Sequence, residues 1–210
     1  MNNYGKSAYR ENPLLRHSYS LIAPIYDLVV SIPFKRARTL SLQALSTGIQ
    51  GRVLISGVGT GLDLPLLPSI HNYTALDFNA GMLSRARMRK QRLNIDWVLG
   101  DSMDLPFENS IFDHVVLHLI VAVVPQPAKC LHEAARVLKP GGTIIVFDKF
   151  LRSKQKAWFR RGLNMISQHL ATRLNVVFEE ELEKVPDLQI LSDEPVLAGG
   201  WFRRIVLQKH

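Results

Sequence analysis

Residues 53–64 read Val-Leu-Ile-Ser-Gly-Val-Gly-Thr-Gly-Leu-Asp-Leu. A short apolar run ends in glycines at 57, 59 and 61, and a second run, Tyr73–Asp77, ends in an acid. Glycine reaches positive φ without penalty and lets backbone approach a ligand with no Cβ between them. An acid at the tip of the next strand can accept hydrogen bonds from ribose hydroxyls. Strand, glycine turn, helix, strand and acid are how an open α/β sheet builds a pocket for an adenosine-containing cofactor. The glycine turn alone would equally suit an ordinary tight connection, and Asp77 is what adds weight to the pocket. The dinucleotide fingerprint G-x-G-x-x-G needs a glycine at 62, where this chain has Leu62.

The rest of the chain alternates in the same way. Strands are expected at 53–56, 73–77, 95–99, 112–119 and 143–148, with helices over 80–92 and 127–138. That order implies a mostly parallel sheet. Lys139-Pro-Gly-Gly142 is expected to turn the chain into the fifth strand. Two further strand candidates, 188–191 and 201–208, are joined by a loop with Pro195, Gly199 and Gly200. A hairpin-like end pairs its strands antiparallel. One or two helices are expected over 21–46, and a basic helical stretch after Phe150.

With 210 residues, one compact domain with a sizeable core is expected. We divide it into an N-terminal helical cap over 1–46 and a catalytic domain over 47–210. The net charge of +8 points to an anionic partner or to solubility alone. Cys130 is the single cysteine, which excludes an intrachain disulfide and a cysteine metal cluster. The first residues lack the apolar core of a signal peptide, and no apolar run is long enough to span a bilayer. A cytoplasmic protein is expected, with peripheral association at the inner membrane face left open.

Further landmarks follow in order. Gly100-Asp101-Ser-Met-Asp-Leu-Pro-Phe107 comes after the third strand, Phe112-Asp113 opens the fourth, and Lys139-Pro-Gly-Gly142 precedes the fifth. With these the chain resembles the class I S-adenosylmethionine-dependent methyltransferases across about residues 19–208. The resemblance implies a Rossmann-like, seven-stranded, mostly parallel α/β sheet with helices on both faces and an antiparallel last strand. It also implies S-adenosyl-L-methionine as cofactor. Gly57, Gly59 and Gly61 would pass close to its methionine part. Asp77, with Phe78 beside it, would hold the ribose. Asp101 would accept from the adenine amino group, with Ser102 and Met103 flanking the ring. Leu119 would lie near the methyl and the acceptor. Standing alone, Asp101 would read as a loop acid or turn cap. Phe112 and Asp113 are expected to be architectural.

One position departs from the family pattern. An acid is usual two residues before the first glycine, where it helps to hold the methionine amino group. This chain has Ile55 there, with Ser56 beside it. Backbone carbonyls or a residue of the N-terminal segment are the expected substitutes.

A narrower resemblance is to bacterial phosphatidylethanolamine N-methyltransferases. It rests on Gly57-Val-Gly-Thr-Gly-Leu-Asp-Leu-Pro65, Val121-Ala-Val-Val-Pro-Gln-Pro127, Tyr19-x6-Tyr26-Asp27 and Gly200-Trp-Phe-Arg-Arg204. It implies a lipid headgroup amine as acceptor. A small apolar or quinone-like acceptor is the alternative, and a non-catalytic binding module with this fold is another. No Asn/Asp-Pro-Pro-Tyr/Phe motif follows the fourth strand, which argues against nucleic acid.

An amine acceptor must reach the methyl deprotonated, so a base or a water path helps. Tyr19, Tyr26 and His118 are the candidates near the acceptor side. Tyr26 also reads as a core aromatic, and His118 as a satisfied core histidine in a buried strand. Lys35, Arg36 and Arg38 beside the apolar residues 21–34 form a candidate interfacial patch for an anionic bilayer. The arginines of 80–92 read as a solvated helix face.

Overall fold

A computed structural model describes residues 34–45, 49–151 and 176–210. Helix α1 covers 34–42 and runs into a 3-10 turn at Gln43–Leu45. The strands are β1 (Arg52–Ser56), β2 (Asn72–Asp77), β3 (Asn94–Leu99), β4 (Phe112–His118), β5 (Leu138–Lys149), β6 (Leu188–Leu197) and β7 (Phe202–Lys209). Helices α2 (Ala80–Arg87), α3 (Pro127–Val137) and α4 (Phe178–Leu182), with 3-10 turns at Leu64–Leu66 and Ala198–Gly200, complete the described elements.

One seven-stranded sheet forms in the order β3-β2-β1-β4-β5-β7-β6. Pairs among β1 to β5 are parallel, and β7 runs antiparallel to both β5 and β6. The expected architecture, with its single reversed strand, is the observed one. The order reverses between β1 and β4, so a crevice opens beyond the C-terminal ends of those two strands.

The pleat sends alternate side chains to opposite faces. Val53, Ile55, Val116 and Ile145 pack with Leu42 and Leu45 of the N-terminal segment and with Leu83 and Ala86 of α2. Leu54, Val115, Leu117, Ile144 and Val146 pack with Cys130, Leu131, Ala134 and Ala135 of α3 and with Phe178 of α4. Helices therefore cover both faces, and the central strands are apolar on both sides, as parallel strands buried on both faces must be. Leu42 and Leu45 are fully buried, and each such side chain contributes roughly 1.5–3 kcal/mol to seating α1 on the sheet.

Three boundaries differ from expectation. The second helix was expected to reach residue 92 but stops at Arg87, and Gln91 then takes a left-handed φ of 52°. Arg89 leaves the helix to donate to Thr60 O at 2.5 Å, bracing the glycine turn. Lys139–Gly142 is a bulge within β5 rather than a turn before it. Gly141 has φ 75°, and a Cβ on Gly142 would stand 2.8 Å from Asp113 O. Strand β6 runs well past residue 191, carried over two register shifts, between Ile190 and Ser192 and between Pro195 and Leu197. Asp113 accepts from Arg52 N at 2.8 Å and from Lys139 Nζ at 2.7 Å, and Phe112 is buried, so both are architectural.

Candidate functional site

The glycine turn leaves the C-terminal end of β1 with φ of 79°, 57° and 82° at Gly57, Gly59 and Gly61. Each glycine meets a different constraint. A Cβ on Gly57 would come within 2.9 Å of Ile120 Cδ1, and one on Gly61 within 2.9 Å of Ala86 Cα. A Cβ on Gly59 would meet nothing within 4 Å. Gly57 and Gly61 thus let elements pack closely, whereas Gly59 faces open space.

Asp77, at the end of β2, is buried and braces the turn. Its Oδ2 accepts from Gly59 N at 2.8 Å and its Oδ1 from Asn79 N at 2.9 Å. Burial raises its pKa, and the backbone donors at Asn79, Gly59 and Phe78 work against that rise. Asn79 then caps α2, accepting from Gly81 N at 2.8 Å. After β3, Asp101 Oδ1 accepts from Met103 N at 2.8 Å, which shapes a tight loop. Ser102 and Met103 are buried in that loop, and Ser56 Oγ donates to Ser102 Oγ at 2.8 Å. The strand end that carries the turn is therefore tied to the loop carrying Asp101.

The end of β4 forms the other wall. Leu119 takes a left-handed φ of 56°, uncommon for a branched side chain, and its N–H donates to Phe147 O at 2.8 Å. His118 is buried, with Nδ1 3.1 Å from Asp63 Oδ1 and Nε2 3.0 Å from Ser41 Oγ. Arg38 Nη1 donates to the same Asp63 oxygen at 2.6 Å. Burial opposes ionisation of Asp63, but the Arg38 and His118 charges and hydrogen bonds hold its carboxyl well below the usual range. Beyond this network lies an aromatic wall. Phe34 packs on Phe202 at 4.8 Å and on Phe147 at 5.9 Å, and His118 packs edge-on to Phe147 at 5.5 Å.

Asp148 is fully buried at the end of β5 and accepts from Ala122 N and from Lys149 N, at 2.9 and 2.8 Å. It anchors the loop that follows β4. Burial pushes its pKa up to about 6.

The crevice brings together Gly57, Gly59, Gly61, Asp77, Asp101, Ser102, Met103 and Leu119 along adjacent strand ends. Phe78, half-buried, adjoins Asp77. Tyr19 and Tyr26 lie outside the described residues. Both ring nitrogens of His118 are engaged, which fits the packed reading of that residue better than a base with a free lone pair. Arg38 does not belong to the proposed basic patch, because it is buried against Asp63 while Lys35 and Arg36 stay exposed. Asp63, Ser41 and Asp148 did not emerge from sequence reasoning. For Asp63 a signal existed, an acid inside the apolar run Leu62–Leu67.

A family model described as "Methyltransferase domain" matches residues 54–146. A phosphatidylethanolamine N-methyltransferase of Cereibacter sphaeroides is 33% identical over 165 residues, covering 76% of this chain and 81% of that protein. A demethylmenaquinone methyltransferase of Paenarthrobacter aurescens is 32% identical over 197 residues, covering 86% of this chain and 75% of that protein. Among solved structures, a geranyl diphosphate C-methyltransferase of Streptomyces coelicolor, in complex with S-adenosyl-L-homocysteine, shares the fold. Its TM-score is 0.66 at 13% identity, over 83% of this chain and 76% of that one.

Proposed function

This chain belongs to the S-adenosylmethionine-dependent methyltransferases, and from that premise we propose that it methylates a lipid headgroup amine such as that of phosphatidylethanolamine. The observation carrying the acceptor is the match to the Cereibacter sphaeroides phosphatidylethanolamine N-methyltransferase over 81% of that protein's length. The quinone reading is kept as the second one, because the Paenarthrobacter aurescens relative is nearly as similar.

In this reading the cofactor supplies a methyl group activated on a sulfonium, and the chain aligns the acceptor with it. Gly59 would admit the cofactor's methionine part at the open side of the turn, with Gly57 and Gly61 letting the flanking elements pack closely around it. Asp77 would hold the ribose, with Phe78 beside it. Asp101, Ser102 and Met103 form the adenine loop. Leu119 and the wall of Phe34, Phe147 and Phe202 exclude water at the acceptor side. Holding acceptor and methyl in line contributes several kcal/mol, up to roughly 7–11 in favourable cases. To Tyr19 and Tyr26 we assign the role of assisting the amine in losing its proton. His118 positions the walls rather than taking that proton.

The exposed Lys35 and Arg36 on α1 favour approach to an anionic bilayer, each contributing about 1 kcal/mol near such a surface. No helix among the described residues is long and apolar enough to cross a membrane.

The test is a labelled-methyl assay with the purified protein on lipid, quinone and RNA extracts. Label entering phosphatidylethanolamine supports the proposal. Label entering demethylmenaquinone alone replaces it with the second reading. Sedimentation with anionic vesicles, reversed by salt, supports the membrane surface, and equal recovery in the supernatant with and without vesicles removes it.

A further inference from the structure

The methionyl tail of the cofactor carries an ammonium group, and an ammonium taken out of water needs an acceptor. The end of β1 offers no charge for it. Ile55 is sealed in the core, and Ser56 Oγ is committed to Ser102. The buried carboxylates among the described residues are Asp63, Asp77 and Asp148. Asp77 and Asp148 each accept backbone N–H groups on both oxygens. Asp63 differs. Arg38 and His118 both bind its Oδ1, and no described residue bonds its Oδ2.

Strand register places that carboxylate. Ile55 of β1 lies beside Val116 of β4. His118 stands two residues nearer the C-terminal edge than Val116 and on the same face of the sheet. Asp63, bonded to His118, therefore sits on the face to which Ile55 points, just past the strand end and directly after the glycine turn.

We propose that Asp63 Oδ2 receives the ammonium group of the cofactor's methionyl tail, with Arg38 and His118 holding the carboxylate in place through Oδ1. The two partners keep the carboxylate ionised against its burial and hold it fixed, and no described residue donates to its second oxygen. The tail is a zwitterion and meets an existing ion pair, so the net charge of the site does not change on binding. Asp63 thereby takes the role left empty at Ile55. The inference rests on S-adenosylmethionine as cofactor and is independent of the acceptor.

The test is calorimetry on the full chain with two ligands, S-adenosylhomocysteine and 5′-methylthioadenosine, which keeps the adenosine and thioether but has no amino acid. Wild type is expected to bind both. Asp63→Asn is expected to weaken S-adenosylhomocysteine by about tenfold or more and to leave 5′-methylthioadenosine within about twofold, where tenfold is about 1.4 kcal/mol. Equal weakening of both ligands in a folded variant would show that Asp63 merely shapes the turn, and overturns the proposal. Unchanged S-adenosylhomocysteine affinity overturns it as well. Should Asp63→Asn fail to fold by circular dichroism, Arg38→Met/Asp63→Asn is compared with Arg38→Met under the same criteria. Wild type binding neither ligand would bring down the cofactor assignment and this proposal with it.

Discussion

His118, at the end of β4, and Asp63, just past the glycine turn of β1, meet at 3.1 Å although they are far apart in sequence. An ionised carboxylate only accepts, so Nδ1 of His118 carries the hydrogen. In the neutral ring Nε2 is then left to accept from Ser41 Oγ, 3.0 Å away on α1. Three elements that bound the crevice are joined through one imidazole, and Arg38 on α1 balances the charge.

That network predicts a non-additive stability cycle. Asp63→Asn leaves a buried guanidinium unpaired and should cost about 3–5 kcal/mol, as should Arg38→Met for the opposite reason. The double variant should cost far less than the sum of the two. Urea unfolding of the four proteins checks this, and strict additivity would contradict the pairing.

The same pair sets an acid limit. The pKa of Asp63 is depressed in the fold, so its stabilising contribution is present above the unfolded value near 3.8 and is lost as pH falls below it. Stability measured downward from pH 5 should fall more steeply in wild type than in the Arg38→Met/Asp63→Asn double variant.

Asp148 has the opposite sign. Its folded pKa of about 6 lies above the ordinary 3.8, so its protonated form is the one the fold favours. That contribution is complete below about pH 3.8 and is lost as pH rises through about 6, amounting to about 3 kcal/mol. The Asp148 carboxyl carbon should titrate near pH 6 by NMR. A midpoint near 4 would contradict the burial argument.

The role of His118 is open to kinetics. His118→Asn keeps a donor toward Asp63 and drops the contact to Ser41. It should lose about 1–2 kcal/mol of stability and keep turnover within about tenfold. A fall beyond about a hundredfold at unchanged S-adenosylhomocysteine affinity would return His118 to the role of base. Tyr19→Phe and Tyr26→Phe should lower turnover with the fold intact, and wild-type rates in both would remove those residues from the mechanism.

The three glycines should separate in their responses to alanine. Gly61→Ala meets the Ala86 backbone and Gly57→Ala meets Ile120, so both should unfold at lower temperature than Gly59→Ala. Gly59→Ala bears only the left-handed strain of about 1–2 kcal/mol, yet its methyl enters the open space that we propose the cofactor fills. It should show the largest loss of S-adenosylhomocysteine binding relative to its loss of melting temperature.

Much of the candidate site's backbone arrangement was legible in the sequence because it is local. Positive φ demands glycine, and a strand followed by a turn places Asp77 and Asp101 at strand ends whatever else the chain does. The alternation of apolar runs and amphipathic helices likewise implies a mostly parallel sheet, and the hairpin-like end implies its reversed last strand. Other features depended on partners distant in sequence. The arginine run at 85–92 reads as a helix, but Arg89 bends away to a carbonyl of the glycine turn. Lys139–Gly142 reads as a turn, but its pairing with β4 makes it a bulge. Arg38 reads as one more surface cation, and only the docking of α1 on the sheet buries it against Asp63.

By itself, then, the sequence determined the backbone of the cofactor pocket, since glycine conformation and hydrophobic period act over a few residues. The tertiary structure decided which charges in that pocket are already compensated and which oxygen is left over. Compensation depends on what packing brings within about 3 Å, and in Arg38, Asp63, His118 and Ser41 it joins a helix, a turn and a strand that no local pattern connects.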